Sequence, residues 1–263
     1  MKRTVGLYEL IGGAKKEELT SRDIQAFLSK NTLDPETRKR LLLWSDELEF
    51  WEEQTPDYPL VERAKYHRDL VSVMRTLMEV ESGEIWGDFG CGPATMSKVI
   101  WEKSKGTAKK IIALDIVLDA AKLRIEEIPV LELKYGNLCE GLDFEDAVFD
   151  GIAGNIAIPY VIEFEGFHGK KGMLGLFREL FRVLKPGGQL VWSTPKENFH
   201  PEICFISAIP DVMRERKNVP NLFSKLPGYI SYGRALRKKQ RKELILIFPL
   251  KNGMLFFLKR LDS

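Results

Sequence analysis

The chain has 263 residues, of which 44% are hydrophobic and 30% charged, with a formal net charge of +2. That length suits one sizeable α/β domain with an accessory segment and is too short for two independent large domains. The composition is that of a globular chain. The near-zero charge gives no global pull toward nucleic acid or membrane, so any charged surface is local.

The three cysteines, Cys91, Cys139 and Cys204, form no paired framework and have neither CxxC nor His-linked metal spacing. They point to a reduced, cytoplasmic protein without a metal site. The N-terminal MKRTVGLYELIGGAKKEEL lacks the apolar core of a secretory signal. No run approaches the roughly 18 apolar residues that span a bilayer.

Residues 1–82 read as an N-terminal helical cap. Thr20-Ser21-Arg22-Asp23 has the form of a capping box, followed by Ile24, Phe27 and Leu28 at helical spacing. Asp34-Pro35-Glu36 is a start signal: a capping carboxylate, a proline at the first helical position and an acid in the first turn. The helix it opens carries Leu41, Trp44, Leu48 and Trp51 and stops before Thr55-Pro56. A third helix is predicted over 60–80 with Ala64, Leu70, Met74, Leu77 and Met78 inward, ended by Ser82-Gly83.

From residue 83 to the end, strands alternate with helices. Strands are predicted at 85–89, 110–114 with Asp115 at the end, 130–135, 148–153 and 189–193. Helices are predicted at 94–103, 118–127 and 173–184, the last with Leu174, Phe177, Leu180, Phe181 and Leu184 on one face before Lys185-Pro186-Gly187-Gly188. This alternation implies a parallel sheet with helices on both faces. Near the end, 244–248 and 255–258 are β-rich and flank Lys251-Asn252-Gly253, a hairpin signal. The expected fold is Rossmann-like and doubly wound: a mostly parallel, seven-stranded sheet with a C-terminal antiparallel hairpin.

The central motif is Asp88-Phe89-Gly90-Cys91-Gly92-Pro93-Ala94. Glycines at a strand-to-helix turn permit unusual backbone angles and let a ligand approach main-chain amides, and the following helix adds a positive end. Asp115 ends the next strand, where a ribose diol needs an acceptor. Cys91 reads as a small residue filling a tight turn, because nothing nearby supplies an activating base.

Over about residues 84–259 the sequence resembles the class I S-adenosylmethionine-dependent methyltransferases, in their small-molecule (methyltransferase type 11-like) branch. DFGCGPA matches the family's first motif, with Ala94 in place of the third glycine; Asp115 in ALDIV matches its ribose acid. Gly136-Asn137-Leu138 matches the segment beside adenine, where Asp is commoner, and Leu184-Lys185-Pro186-Gly187-Gly188 the turn before the fifth strand. Phe149-Asp150-Gly151-Ile152 resembles the fourth-motif strand, which places Asn155 at its tip beside the transferable methyl.

The resemblance implies S-adenosyl-L-methionine as cofactor, with S-adenosyl-L-homocysteine as product. The implied contacts are Asp88, Phe89, Gly90, Cys91, Gly92, Asp115, Ile116, Asn137, Leu138 and Asn155. Asn155-Ile156-Ala157-Ile158-Pro159-Tyr160 lacks the adjacent prolines of the Asn-Pro-Pro-aromatic motif, so that assignment is rejected.

A sulfonium methyl is already activated, so the protein mainly aligns the acceptor; a base is needed only where the nucleophile must lose a proton. Acid–base candidates near the expected mouth are Glu163, Glu165, His168 and His200, with Asn155 a further catalytic candidate, while Tyr66 and His67 on the leading helix read as core packing or exposed. Residues 195–242 form an acceptor-side insertion. Its aromatic part (Phe199, Phe205, Phe223, Tyr229, Tyr232) favours a small greasy or aromatic acceptor. Its basic end, Arg234–Lys242, reads as a solvated helix face, with contact to anionic lipid or to RNA as the sharper readings. The alternatives are an RNA or protein methyltransferase, a nicotinamide-dependent dehydrogenase and a non-catalytic scaffold of the same fold.

Overall fold

A computed structural model describes residues 19–63, 65–138, 141–155, 176, 179–180, 182–195, 234–238, 243–250 and 253–260. Its cap contains α1 (Ser21–Lys30) and α2 (Pro35–Gln54), then a 3-10 turn (Thr55–Asp57), α3 (Tyr58–Arg63) and α4 (Lys65–Leu77). Both predicted starts form. Thr20 and Asp23 exchange capping bonds at α1, and the Asp34 carboxylate accepts from the Glu36 and Thr37 amides at α2. The helix expected over 60–80 is helical over Tyr58–Arg63 and Lys65–Leu77, with residue 64 outside the described residues, and ends at Leu77, with Leu70, Met74 and Met78 buried.

The central sheet is β1 (Ile85–Phe89), β2 (Lys110–Asp115), β3 (Leu131–Tyr135), β4 (Phe149–Asn155) and β5 (Leu184–Pro195), all parallel in the order β3-β2-β1-β4-β5. The chain reverses direction across the sheet between β1 and β4, and such a switch point opens a crevice at the strands' carboxyl ends. One face packs Trp86, Ile111, Ala153 and Val191 against Met74 of α4, Met78 just past its end, and Met96, Val99 and Ile100 of α5 (Thr95–Lys103). A second cluster joins Ile24 and Leu28 of α1 and Leu41, Trp44 and Leu48 of α2 to Cys91, Ala113, Ile116 and Val117. That cluster seats the helical cap over the carboxyl ends of β1 and β2.

The expected seven-stranded sheet is corrected by the observed pairing. Beyond the five parallel strands lie three antiparallel ones, β6 (Arg234–Lys238), β7 (Glu243–Leu250) and β8 (Gly253–Arg260), giving eight in the order β3-β2-β1-β4-β5-β8-β7-β6. The apolar run of β7 needs a hydrogen-bonding partner on each side, and a short basic strand supplies an edge that resists further pairing. Arg234–Lys238 is therefore an edge strand rather than the expected helix face.

Two helix predictions also change. The helix expected over 118–127 is only α6 (Asp119–Lys122), followed by turns in which Arg124 and Ile125 donate to carbonyls three residues back. Leu123 is 77% exposed and Ile125 47% exposed, so burial does not reward a longer helix. Before β5, Leu176, Leu180 and Val183 are buried helical positions; Leu184, expected on the helix face, is the first residue of β5, and Leu174, Phe177 and Phe181 lie outside the described residues. The Lys-Pro-Gly-Gly turn is a bulge inside β5: the ladder passes from Phe149↔Leu184 to Gly151↔Gln189, with Gly187 at φ 81°. Asp150 braces this bulge by accepting from the Ile85 amide at 2.8 Å and Lys185 Nζ at 2.8 and 2.9 Å.

Candidate cofactor cleft

β1 ends in a loop that folds back on β2. The Gly90 and Cys91 amides both donate to the Leu114 carbonyl, at 2.8 and 3.2 Å, and the Ala94 amide closes the turn on the Cys91 carbonyl at 2.8 Å. Gly90, Gly92 and Ala94 have φ of 65°, 47° and 54°. Ala94 thus adopts the left-handed conformation that the commoner third glycine takes without steric cost.

Asp115 locks this loop. One carboxylate oxygen accepts the Gly92 amide at 2.8 Å, and the other accepts Ile116 at 2.7 Å and Val117 at 3.3 Å. Burial pushes its carboxyl above the ordinary range, opposed by those amide bonds. Asp88, 1% exposed, accepts from the Ser97 amide and hydroxyl, both at 2.7 Å. Burial raises it to about 7, with the Asp115 charge adding to the rise and Ser97 opposing it. The first-turn amide of α5 is therefore already answered by a carboxylate. Burial, and then the charges of Asp115 and Asp88, push the Cys91 thiol up well away from a reactive thiolate.

These groups border a cleft of about 210 Å³ at the carboxyl ends of the strands. Asp88, Gly90, Cys91 and Gly92 come from the first loop, Asp115 and Ile116 from β2, Asn137 and Leu138 from the segment after β3, and Asn155 from the tip of β4. Nine of the ten residues expected to contact the cofactor thus converge there. Phe89 is the exception. It alternates with Asp88 onto the other face of the sheet and packs against Phe144 and Phe149, with ring centroids 5.9 and 5.3 Å away.

The opposite wall comes from the cap, and the sequence did not mark it. Glu47, Phe50, Trp51 and Gln54 of α2, Tyr58 and Glu62 of α3 and His67 of α4 line it. Periodicity showed that α2 and α4 have buried faces, but nothing local says that those faces meet a loop 30 residues onward. His67, read as core or exposed, is buried and shares a 2.9 Å hydrogen bond with Asn155. Glu62 meets both the Thr95 hydroxyl and Arg124, tying α3 to the far side of the loop. The candidates Glu163, Glu165, His168 and His200 lie outside the described residues.

The described lining carries four carboxylates (Glu47, Glu62, Asp88 and Asp115) and no lysine or arginine. A dinucleotide brings a pyrophosphate, which needs amides at a helix start or basic side chains. Here the helix start is occupied by Asp88 and the lining is acidic. A cationic ligand with a ribose and an aromatic base fits instead.

Residues 87–192 match the family model described as "Methyltransferase domain". A demethylmenaquinone methyltransferase of Oceanobacillus iheyensis is 31% identical over 119 residues, which span 43% of this chain and 45% of that one. The fold is similar to phosphoethanolamine N-methyltransferase 1 of Haemonchus contortus, with a TM-score of 0.56 and 11% identity over 85% of this chain and 50% of that one. It is also similar to a chain in the complex of the Haloferax volcanii Trm112 methyltransferase activator with a putative methyltransferase. There the TM-score is 0.52, with 15% identity over 81% of this chain and 98% of that one.

Residues 87–192 are thus the part of this chain that is similar to a methyltransferase domain. The chain spans less than half the length of the curated relatives it matches. Within the matched residues lie the glycine loop, Asp115, the Asn137 segment and Asn155; the wall carrying His67, Tyr58 and Glu47 lies before them. No helix of the described residues is long and apolar enough to cross a membrane.

Proposed function

We propose that the chain transfers a methyl group from S-adenosyl-L-methionine to a small, uncharged, greasy or aromatic acceptor by direct in-line displacement. The observation that carries this reading is that the described lining around Asp115 and the glycine loop is acidic and free of arginine and lysine. When bound, the cofactor supplies an activated methyl on a cationic sulfonium. Asp115 offers its remaining acceptor capacity to the ribose hydroxyls. Ile116 and Leu138 sandwich the base, with Asn137 at its polar edge. Asp88 and the side-chain-free faces of Gly90 and Gly92 border the methionine end. The cap wall of Trp51, Tyr58 and Phe50 excludes water from the cleft.

The relative from Oceanobacillus iheyensis is described as a demethylmenaquinone methyltransferase, which agrees with an aromatic, lipid-like acceptor. The acidic lining disfavours a nucleic-acid phosphate inside the cleft. Contact of the basic segment 234–242 with an anionic membrane remains part of the proposal, and flotation on vesicles with and without anionic lipid tests it.

The function is tested with tritiated-methyl S-adenosylmethionine and fractionated cell extract. Label entering the neutral organic-soluble fraction is the expected result. Label in RNA or protein would redirect the assignment, and cofactor binding with no label in any fraction would indicate a non-catalytic scaffold.

A further inference from the structure

The cap brings one imidazole to the methyl-transfer end of the cleft. His67 is 6% exposed, and its Nε2 lies 2.9 Å from the Asn155 side-chain nitrogen, a contact that a neutral ring makes as acceptor when its proton is on Nδ1. In that form the Nε2 lone pair faces Asn155 at the tip of β4, the residue that the family resemblance puts beside the transferable methyl. Burial depresses its pKa, and the charge on Glu62 partly restores it. The other charged groups of the described lining are Glu47, Asp88 and Asp115. Asp88 is held by Ser97, Asp115 by three backbone amides, and Glu62 by Thr95 and Arg124.

The same lining limits the acceptor. With four carboxylates and no lysine or arginine, the described lining offers no protein cation to a nucleophile that arrives already ionised. An oxygen acceptor must enter as its neutral O–H form and surrender the proton inside. Resting on the proposed methyl transfer, we propose that His67 is the catalytic base that takes this proton from an uncharged phenol-type O–H acceptor, with Asn155 holding its ring until the acceptor arrives. The acceptor O–H replaces the Asn155 N–H as donor to Nε2. As its oxygen lone pair forms the bond to the methyl carbon, the C–S bond breaks with its electron pair left on sulfur. The O–H proton passes to Nε2, and the resulting imidazolium later returns it to water.

The test uses the full chain and its His67→Gln variant. In the first arm, nitrogen NMR reads the imidazoles with S-adenosylhomocysteine bound; the chain has only three histidines, so the variant assigns His67. The expected state at pH 7 is neutral, protonated at Nδ1. An imidazolium or an Nε2–H form overturns the proposal. In the second arm, calorimetry and tritiated-methyl transfer to the neutral organic fraction are followed from pH 5.5 to 8.5.

His67→Gln should bind S-adenosylmethionine within about twofold of wild type yet transfer about 10²–10⁴-fold more slowly, as loss of a general base does. It should also lose the acid limb of the wild-type rate profile. Wild-type transfer retained in His67→Gln with cofactor bound overturns the base assignment alone. Failure of the wild-type chain to bind S-adenosylmethionine, or to label the neutral fraction, overturns the proposed function and the base with it.

Discussion

The Asp115 carboxylate accepts the Gly92 amide at 2.8 Å, so the acid assigned to the ligand's ribose also holds the glycine loop in shape. Two further amides, Ile116 and Val117, bind its other oxygen. Asp115→Ala therefore removes a ligand contact and a loop brace together. We expect at least a tenfold loss of S-adenosylmethionine affinity by calorimetry. Melting should show a further cost of about 1–3 kcal/mol from amides left without an acceptor. Asp115→Asn keeps an acceptor oxygen and should retain more stability than affinity. Unchanged affinity in both variants would remove the ribose assignment.

Asp88 makes stability depend on pH. Its carboxyl is raised to about 7 by burial, against an ordinary value of 3.8. A raised folded-state pKa means that this group's proton-linked stability is full below about pH 4 and is lost as pH rises toward 7. Between pH 5 and pH 7 the loss from this group is about 2 kcal/mol. Urea unfolding at the two pH values should show that difference in the wild-type chain, and Asp88→Asn should flatten it while keeping an acceptor for Ser97. An equally steep profile in the variant would place the titration elsewhere.

Two glycines of β4 exist to admit indoles. A Cβ at Gly151 would lie 2.4 Å from the Trp86 ring, and one at Gly154 would lie 2.6 Å from the Trp192 ring. Both tryptophans are fully buried, so neither ring can swing into solvent. Gly151→Ala and Gly154→Ala should each destabilise the chain by about 1–3 kcal/mol, as overpacking does. Denaturant midpoints with the intrinsic tryptophan signal measure this directly.

Glu62 latches the cap to the loop through Thr95 and Arg124, with the two charged side chains 24% and 19% exposed. Glu62→Gln should cost about 1 kcal/mol or less in global stability, because the pair is partly solvated. Hydrogen exchange in α3 should nonetheless rise more than in β1 or β2, since those strands remain paired in the sheet. Uniform acceleration across all three would mean that the latch stabilises the whole domain rather than the cap.

Much of the parallel core was legible in the sequence because its signals are local. The capping carboxylate of Asp34, the β-branched run ending on Asp115 and the glycines of the first loop each act over a few residues. Their outcome does not depend on distant packing. The helix expected beyond Lys122 failed for the opposite reason: its apolar residues Leu123 and Ile125 find no surface to cover, which spacing alone cannot reveal.

By itself, then, the sequence determined the alternation of strand and helix, the conformation of the glycine loop and the acid beside it. Each follows from backbone sterics and short-range hydrogen bonds. Only the tertiary structure decided that the sheet carries eight strands, since strand count rests on which distant edges pair. It alone also decided that α2, α3 and α4 form the second wall of the cleft. His67 meets Asn155 across 88 residues of chain, and Tyr58 stands over Gly92. Helical periodicity says that a face is buried; packing of that face against another element says what it is buried against.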